Sequence, residues 1–137
     1  MTQTVGVGTR TDARIARKIM GWEVFRCGYF GTDEETPRMR ELHEWMGRVG
    51  LEAVGDYYIN VDEDFFVSAD EFQPSRHVDD AWQVIEKMRA GAATTVLIES
   101  MPDGWAVRVG GFAHRKGDGR SPSLPLAICR AALAAVV

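Results

Sequence analysis

The stretch Arg108-Val-Gly-Gly-Phe-Ala-His-Arg-Lys-Gly-Asp-Gly-Arg120 gathers the side chains best suited to holding an anion. Glycines bare their backbone N–H groups, and Arg108, His114, Arg115, Lys116 and Arg120 add charge-assisted donors of the kind that grip phosphate. The order is not that of a Walker loop, because Gly-x-x-x-x-Gly-Lys-Ser/Thr is absent. The same composition also suits a plain solvent loop between strands. Tyr29, Tyr57, Tyr58 and Phe112 offer faces on which a base could stack, although aromatics at strand spacing equally build a core. A second candidate is Ser75-Arg76-His77, at the start of a predicted helix, where N–H groups point outward toward an anion.

Other residue types fall short of a reaction. Asp62-Glu63-Asp64, with Asp70-Glu71 nearby, is the densest acidic cluster, but counted as a calcium loop its sixth position is Val67 and its twelfth Gln73. That loop needs glycine and a bidentate glutamate at those places, so a solvated turn is the expectation. His43, His77 and His114 pair with no cysteine or further histidine at zinc spacing. Neither Cys27 nor Cys129 sits in a nucleophile motif, and no serine has a Gly-x-Ser-x-Gly setting. The chain is therefore expected to be no enzyme and to need neither metal nor cofactor.

Length and composition bound the rest. At 137 residues the chain suits a single domain able to bury most of its apolar surface. A net charge of -4 has the wrong sign for bulk nucleic-acid binding. No apolar run approaches the roughly 20 residues of a membrane span, and the start lacks the pattern of a signal peptide. Two free thiols in a reducing cytoplasm follow for Cys27 and Cys129.

The elements that must carry these side chains read as follows. Residues 1–8 form a flexible lead-in, and residues 9–137 one domain. Ile15 and Ile19 mark a first helix to about Met20, with Arg10, Arg14, Arg17 and Lys18 as a solvated basic face. Gly21 lets the chain leave that helix left-handed, with Trp22 packed back on it. Glu23–Phe30 is a short strand, and Thr36-Pro37 opens a second helix lined by Met39, Leu42, Trp45, Met46 and Val49. Asp56–Val61 and Phe65–Ser68 pair around the acidic turn. Ser75 caps a third helix, in which Val78, Ala81, Trp82, Ile85 and Met88 make one apolar face. Thr94–Glu99 and Trp105–Val109 form a hairpin about Met101-Pro102-Asp103-Gly104, and Gly110-Gly111 interrupt or bulge the second strand. Arg115–Arg120 is a polar loop; Ser123 caps a last helix that is apolar on nearly every side, and so is buried or covered by a partner chain. Helices among hairpin-linked strands give an α+β fold with a largely antiparallel sheet.

Three separated pieces carry a family resemblance: Lys18-Ile-Met-Gly-Trp22, Phe72 through Met88, and Ser123-Leu-Pro-Leu-Ala-Ile-Cys-Arg-Ala-Ala-Leu133. Together they resemble the phage ABA-sandwich domain family, from about residue 14 onward, with Gly31–Gly55 long relative to its pattern. The resemblance implies an α/β/α sandwich with helices on both faces of the sheet. Its matching positions, Trp22, Ala81, Trp82, Val84, Leu126, Ala127, Ile128 and Leu133, are those of a core, and it supplies no catalytic residues. It also implies a phage or prophage accessory protein at work in the cytoplasm of the bacterial host. Three roles stand open at this point. The first is a non-catalytic, homo-oligomeric sponge that sequesters a nucleotide-like immune signal. The second is a protein that binds and blocks a host defence protein, and the third is a small hydrolase.

Overall fold

The computed structural model describes residues 6–26, 37–51, 55–91, 95–111 and 114–136. Among the described residues the chain forms four helices and two three-stranded antiparallel sheets, an α+β fold consistent with the expected sandwich. It divides into two compact units, Met1–Met20 with Phe72–Val137, and Gly21–Glu71.

In the first unit the strands β4 (Thr95–Met101), β5 (Gly104–Gly111) and β6 (His114–Ser121) form an antiparallel meander. Alternation sorts its side chains. Val96, Ile98, Trp105, Val107 and Val109 turn to one face, where Ala81 and Ile85 of α3 (Val78–Gly91) and Ala127, Ile128, Ala131 and Ala135 of α4 (Leu124–Ala135) close the core. Leu97, Glu99, Arg108, Lys116, Asp118 and Arg120 alternate with them and are exposed. The register between β5 and β6 shifts between Val109 and Gly111, the irregularity expected of the paired glycines.

The segment expected as a polar loop is the strand β6, and its glycines explain why. A Cβ on Gly117 would lie 2.0 Å from the Ala131 carbonyl oxygen, and one on Gly119 would lie 2.2 Å from that of Ala127. Both glycines face inward, so α4 rests backbone to backbone on the strand, with alanines at the contact. Composition alone hides this strand, because its inward side carries no apolar atoms at these two places.

The ends of α4 follow the expected chemistry. Ser123 is the N-cap, its hydroxyl accepting from the Leu126 N–H at 3.5 Å, and Pro125 sits in the first turn, where no N–H is missed. The helix α1 (Gly6–Lys18) packs on α4 and starts at Gly6, inside the expected lead-in. Gly21 has the anticipated left-handed φ of 76°.

Two expectations at α3 need correction. Its buried face is Ala81, Val84 and Ile85, whereas Val78 and Trp82 are 46% and 47% exposed, so neither anchors the helix to the sheet. The period located the apolar side but overstated its width. Ser75 is not the cap either, for the first helical bond runs from the Ala81 N–H to the His77 carbonyl. Ser75 is buried, and its own N–H donates to Asp12 Oδ1 of α1 at 2.8 Å.

The second unit carries strands β1 (Glu23–Arg26), β2 (Asp56–Asn60) and β3 (Phe65–Ser68) in the order β1-β2-β3, with the helix α2 (Pro37–Val49). Phe25, Trp45, Met46 and Ile59 form its core. Trp22 has Tyr58 and Phe65 as ring neighbours, at 6.2 and 5.2 Å. The expected span of β1 past Arg26, together with Cys27, Tyr29 and Thr36, lies outside the described residues.

The acidic turn between β2 and β3 has a structural task. Asp64 adopts φ 49°, a conformation that aspartate tolerates better than most residues, and its Oδ1 accepts the Trp45 indole N–H at 2.9 Å. Asp64→Ala is expected to lower stability by about 1–2 kcal/mol, since it removes the acceptor and keeps the strained backbone. Asp64→Asn retains both features and is expected to unfold near the wild-type midpoint in urea. Equal losses in the two variants would show that the indole bond is idle.

No helix among the described residues is long and apolar enough to cross a membrane.

Candidate functional site

The predicted anion-binding residues fall into groups on different elements. Arg108 lies on β5 and Lys116 and Arg120 on β6, all on the exposed face of the sheet; His114 and Arg115 occupy the first two positions of β6. Arg76 and His77 are exposed in the turn before α3, where their N–H groups are both spent on the Gln73 carbonyl at 2.9 Å. With the Ser75 N–H committed to Asp12, that turn has three fewer donors for a ligand than a bare helix start.

Arg108 is engaged as well. Its Nε donates to Asp118 Oδ1 at 2.9 Å across the strand pair, and Asp118 holds the guanidinium more firmly in its charged form. A hollow of about 150 Å³ lies over Ala106 on this face, bounded by Leu97, Glu99, Arg108, Asp118 and Arg120. It carries carboxylates beside its cations, a mixed field with weak preference for an anion.

A better-suited cleft opens where the β4–β5 turn meets the end of β6. Its volume is about 230 Å³, and Asp103, Trp105, Arg120, Ser121, Pro122 and Arg130 line it. The local sequence builds this cleft. Gly104 at φ 149° brings the turn against Ser121 and Pro122, where a Cβ would meet the Ser121 carbonyl oxygen at 2.6 Å. The Ser121 hydroxyl accepts the Ser123 N–H at 3.1 Å, fixing the corner from β6 into α4. From α4 the Arg130 Nη1 donates to the Arg120 carbonyl at 2.8 Å, which orients its guanidinium over the cleft. Neither Arg120 nor Arg130 forms an ion pair among the described residues, unlike Arg38 and Arg108. The Arg130 guanidinium beside a half-buried indole can hold an anion while the indole stacks an aromatic ring. Arg120 meets Arg130 through its carbonyl, its own side chain lying on the opposite face of the sheet with Ala106.

Sequence reasoning found Arg120 and missed Arg130 and Trp105. The signal for Arg130 was present, since it is the one charged residue in Leu124–Ala135. A single arginine on an otherwise apolar helix marks the edge that meets solvent.

A third cleft, about 320 Å³, lies between α1 and α4 and is lined by Thr11, Arg14, Arg130, Leu133 and Ala134. Cys129 on α4 is buried and free, and its thiol is pushed up by burial and then by the charge of Asp12, far from a reactive thiolate. Among the described residues no three His, Cys, Asp or Glu side chains gather as a metal ion would require.

A meander sheet carrying two helices on one face, with a second unit of one helix and a three-stranded antiparallel sheet, places the chain among the α+β sandwich proteins. The model of the phage ABA sandwich domain matches residues 13–133, and the chain belongs to that family. Its fold is similar to the crystal structure of a phage protein from Bacillus cereus ATCC 14579, at 19% identity and a TM-score of 0.56, over 98% of this chain and 96% of the other. No curated protein matches it.

Proposed function

We propose that this chain is a phage-encoded accessory protein, at work in the cytoplasm of the bacterial host, that binds a nucleotide-like signal of host defence and sequesters it without turnover. The observation that carries the reading is the cleft that sets Trp105 beside Arg130, an arginine with no carboxylate partner among the described residues. The indole would stack a base and the Arg130 guanidinium would hold phosphate. Cys129, whose thiol is raised, and the scattered histidines favour retention of a ligand over its cleavage. At about 230 Å³ the cleft is smaller than the roughly 300–1,000 Å³ of common ligand sites. A second copy of the chain seated over it would complete the enclosure, so the protein is proposed to act as a homo-oligomer.

The test is to recover the protein natively from phage-infected bacteria, denature it and identify any released small molecule. An intact nucleotide is the expected result, and Trp105→Ala and Arg130→Ala should each lower its affinity by about tenfold or more. Recovery of an empty wild-type protein that binds no member of a nucleotide panel would overturn the proposal.

The second reading, a protein that blocks a host defence protein, is favoured by one observation. Val78 and Trp82, one turn apart on α3, leave an apolar pair in solvent, and an exposed tryptophan is a common anchor of protein interfaces. Trp82→Ser would then abolish capture of the host protein while leaving nucleotide binding unchanged.

A further inference from the structure

The two edges of the first unit's sheet are built differently. Along β6 the exposed side chains are Lys116, Asp118 and Arg120, and Arg130 donates to the Arg120 carbonyl at 2.8 Å. Charges and a covered carbonyl keep an edge strand from pairing with another chain. β4 has little such protection. Among the described residues it pairs with β5 alone, and its run Thr-Val-Leu-Ile-Glu-Ser-Met holds one charge and no proline. Leu97 in its middle is 46% exposed. Neighbouring residues of an antiparallel strand turn their N–H and C=O groups to opposite sides. The Arg120 carbonyl points away from β5, so the register Arg120↔Ala106↔Glu99 turns the groups of Thr95, Leu97 and Glu99 toward β5. Those of Val96, Ile98 and Ser100 face out of the sheet.

The helix α3 carries the same edge upward. Its flank of Asp80 and Val84 turns toward α1 and α4, since Val84 is buried and the charge of Asp80 reaches Asp12. Val78 and Trp82 lie nearly opposite on the helix, and both are exposed. Because α4 rests on β6, the flank of α3 turned away from α4 overhangs β4.

We infer that two copies of the chain join through β4, paired antiparallel about a two-fold axis at Leu97, into one six-stranded sheet. Backbone and side chains select that register together. Val96 and Ile98 meet Ile98 and Val96 of the second copy as hydrogen-bonded pairs under the helices, and Thr95 meets Glu99. Leu97 meets its own counterpart on the open face. An axis at Ile98 would set each Leu97 against a Glu99, and one at Glu99 would oppose two like charges, which costs stability. The axis also lays the two α3 helices antiparallel across the seam, covering Val78 and Trp82. Asp79 at the start of one α3 then lies toward Arg89 at the end of the other, a complementary pairing of charge. Such a contact is closed and isologous, as in most soluble dimers. It is separate from the Trp105 cleft, so its failure would leave the proposed ligand site standing.

Sedimentation equilibrium of the full chain tests the dimer. The wild type is expected to sediment at twice its monomer mass at micromolar concentration. Leu97→Lys sets two ammonium groups face to face and should raise the dissociation constant by about tenfold or more, with Trp82→Ser acting in the same direction. Both side chains are exposed on the single chain, so the far-ultraviolet circular dichroism should be unchanged. The register is read by copper-catalysed oxidation in a Cys27→Ser background, where Cys129 is buried. Leu97→Cys should give a covalent dimer, because residues opposed in a non-hydrogen-bonded pair lie about 4.5 Å apart at Cα. Thr95→Cys, about 13 Å from its counterpart, should give none. A monomeric wild type, a dimer indifferent to Leu97→Lys, or cross-linking by Thr95→Cys in place of Leu97→Cys would each refute the inference. So would a monomer that captures a host protein only when Leu97 is intact, which would give the edge to that partner.

Discussion

Gly119→Ala is expected to destabilise the first unit by about 3 kcal/mol or more, a larger effect than most single substitutions. The added methyl would lie 2.2 Å from the Ala127 carbonyl oxygen and 2.4 Å from the Ala131 nitrogen, and both are backbone atoms of α4 that cannot rotate away. Relief requires lifting the helix off β6, which opens the core of Val107, Val109, Ile128 and Ile85. Gly117→Ala meets the same obstacle one helical turn further on, at the Ala131 oxygen and the Ala135 nitrogen. Gly47, exposed in the last turn of α2 with nothing within 4 Å of its added Cβ, is the control. Gly47→Ala should raise stability by about 0.5–1 kcal/mol through helix propensity. Urea midpoints of the three variants decide the matter. A Gly119→Ala protein that melts with the wild type would mean that α4 does not sit on β6 as described.

The second large effect lies at Asp12. This carboxyl is 4% exposed, and burial raises its pKa above the usual 3.8 despite the bonds from Ser75 and the charge of Arg76; Asp80 nearby adds to the rise. The folded protein therefore holds the proton of Asp12 more tightly than the unfolded chain does. Its contribution to stability is full below the unfolded pKa and is lost as pH rises through the raised folded value. Asp12→Asn keeps an oxygen to accept the Ser75 N–H and has no charge to bury. The stability of Asp12→Asn minus that of the wild type should accordingly grow from acid toward neutral pH and then level off, because the other carboxylates cancel in the difference. A flat or falling difference would mean that the Ser75 bonds outweigh burial. Asp12→Ala leaves the buried Ser75 N–H without its acceptor and is expected to cost about 1–3 kcal/mol in acid, where the wild-type carboxyl is protonated, and less toward neutral pH.

The parts of the fold that sequence made legible are those set by local pattern. Ser123 and Pro125 announced the start of α4, Pro102-Asp103-Gly104 the β4–β5 hairpin, and the spacing of Met39, Leu42, Trp45 and Met46 the buried face of α2. What stayed hidden depends on partners distant along the chain. Ser75 looks like a cap until Asp12, 63 residues away, takes its N–H. Lys116-Gly-Asp-Gly-Arg120 looks like a loop until the alanines of α4 supply the reason for its glycines. Trp82 falls on the right helical period, yet a helix packed through Ala81, Val84 and Ile85 leaves it no surface to cover. The candidate site was half visible for the same reason. Arg120 belongs to an evident cluster of cations, whereas Trp105 and Arg130 become neighbours through the turn at Gly104 and the corner at Pro122.

The two inward glycines of β6 have one more effect, on the error tolerance of the sheet. Side chains along a strand alternate strictly, so pairing β6 one residue out of step would carry Lys116, Asp118 and Arg120 under α4. There is no room there for so much as a methyl group, and three charged chains would lose their water as well. Misaligned pairings are thereby heavily penalised, although the strand has almost no apolar residues with which to choose its alignment. The helix acts as a template that accepts a single reading of β6, and through that reading it fixes which way Arg120 points.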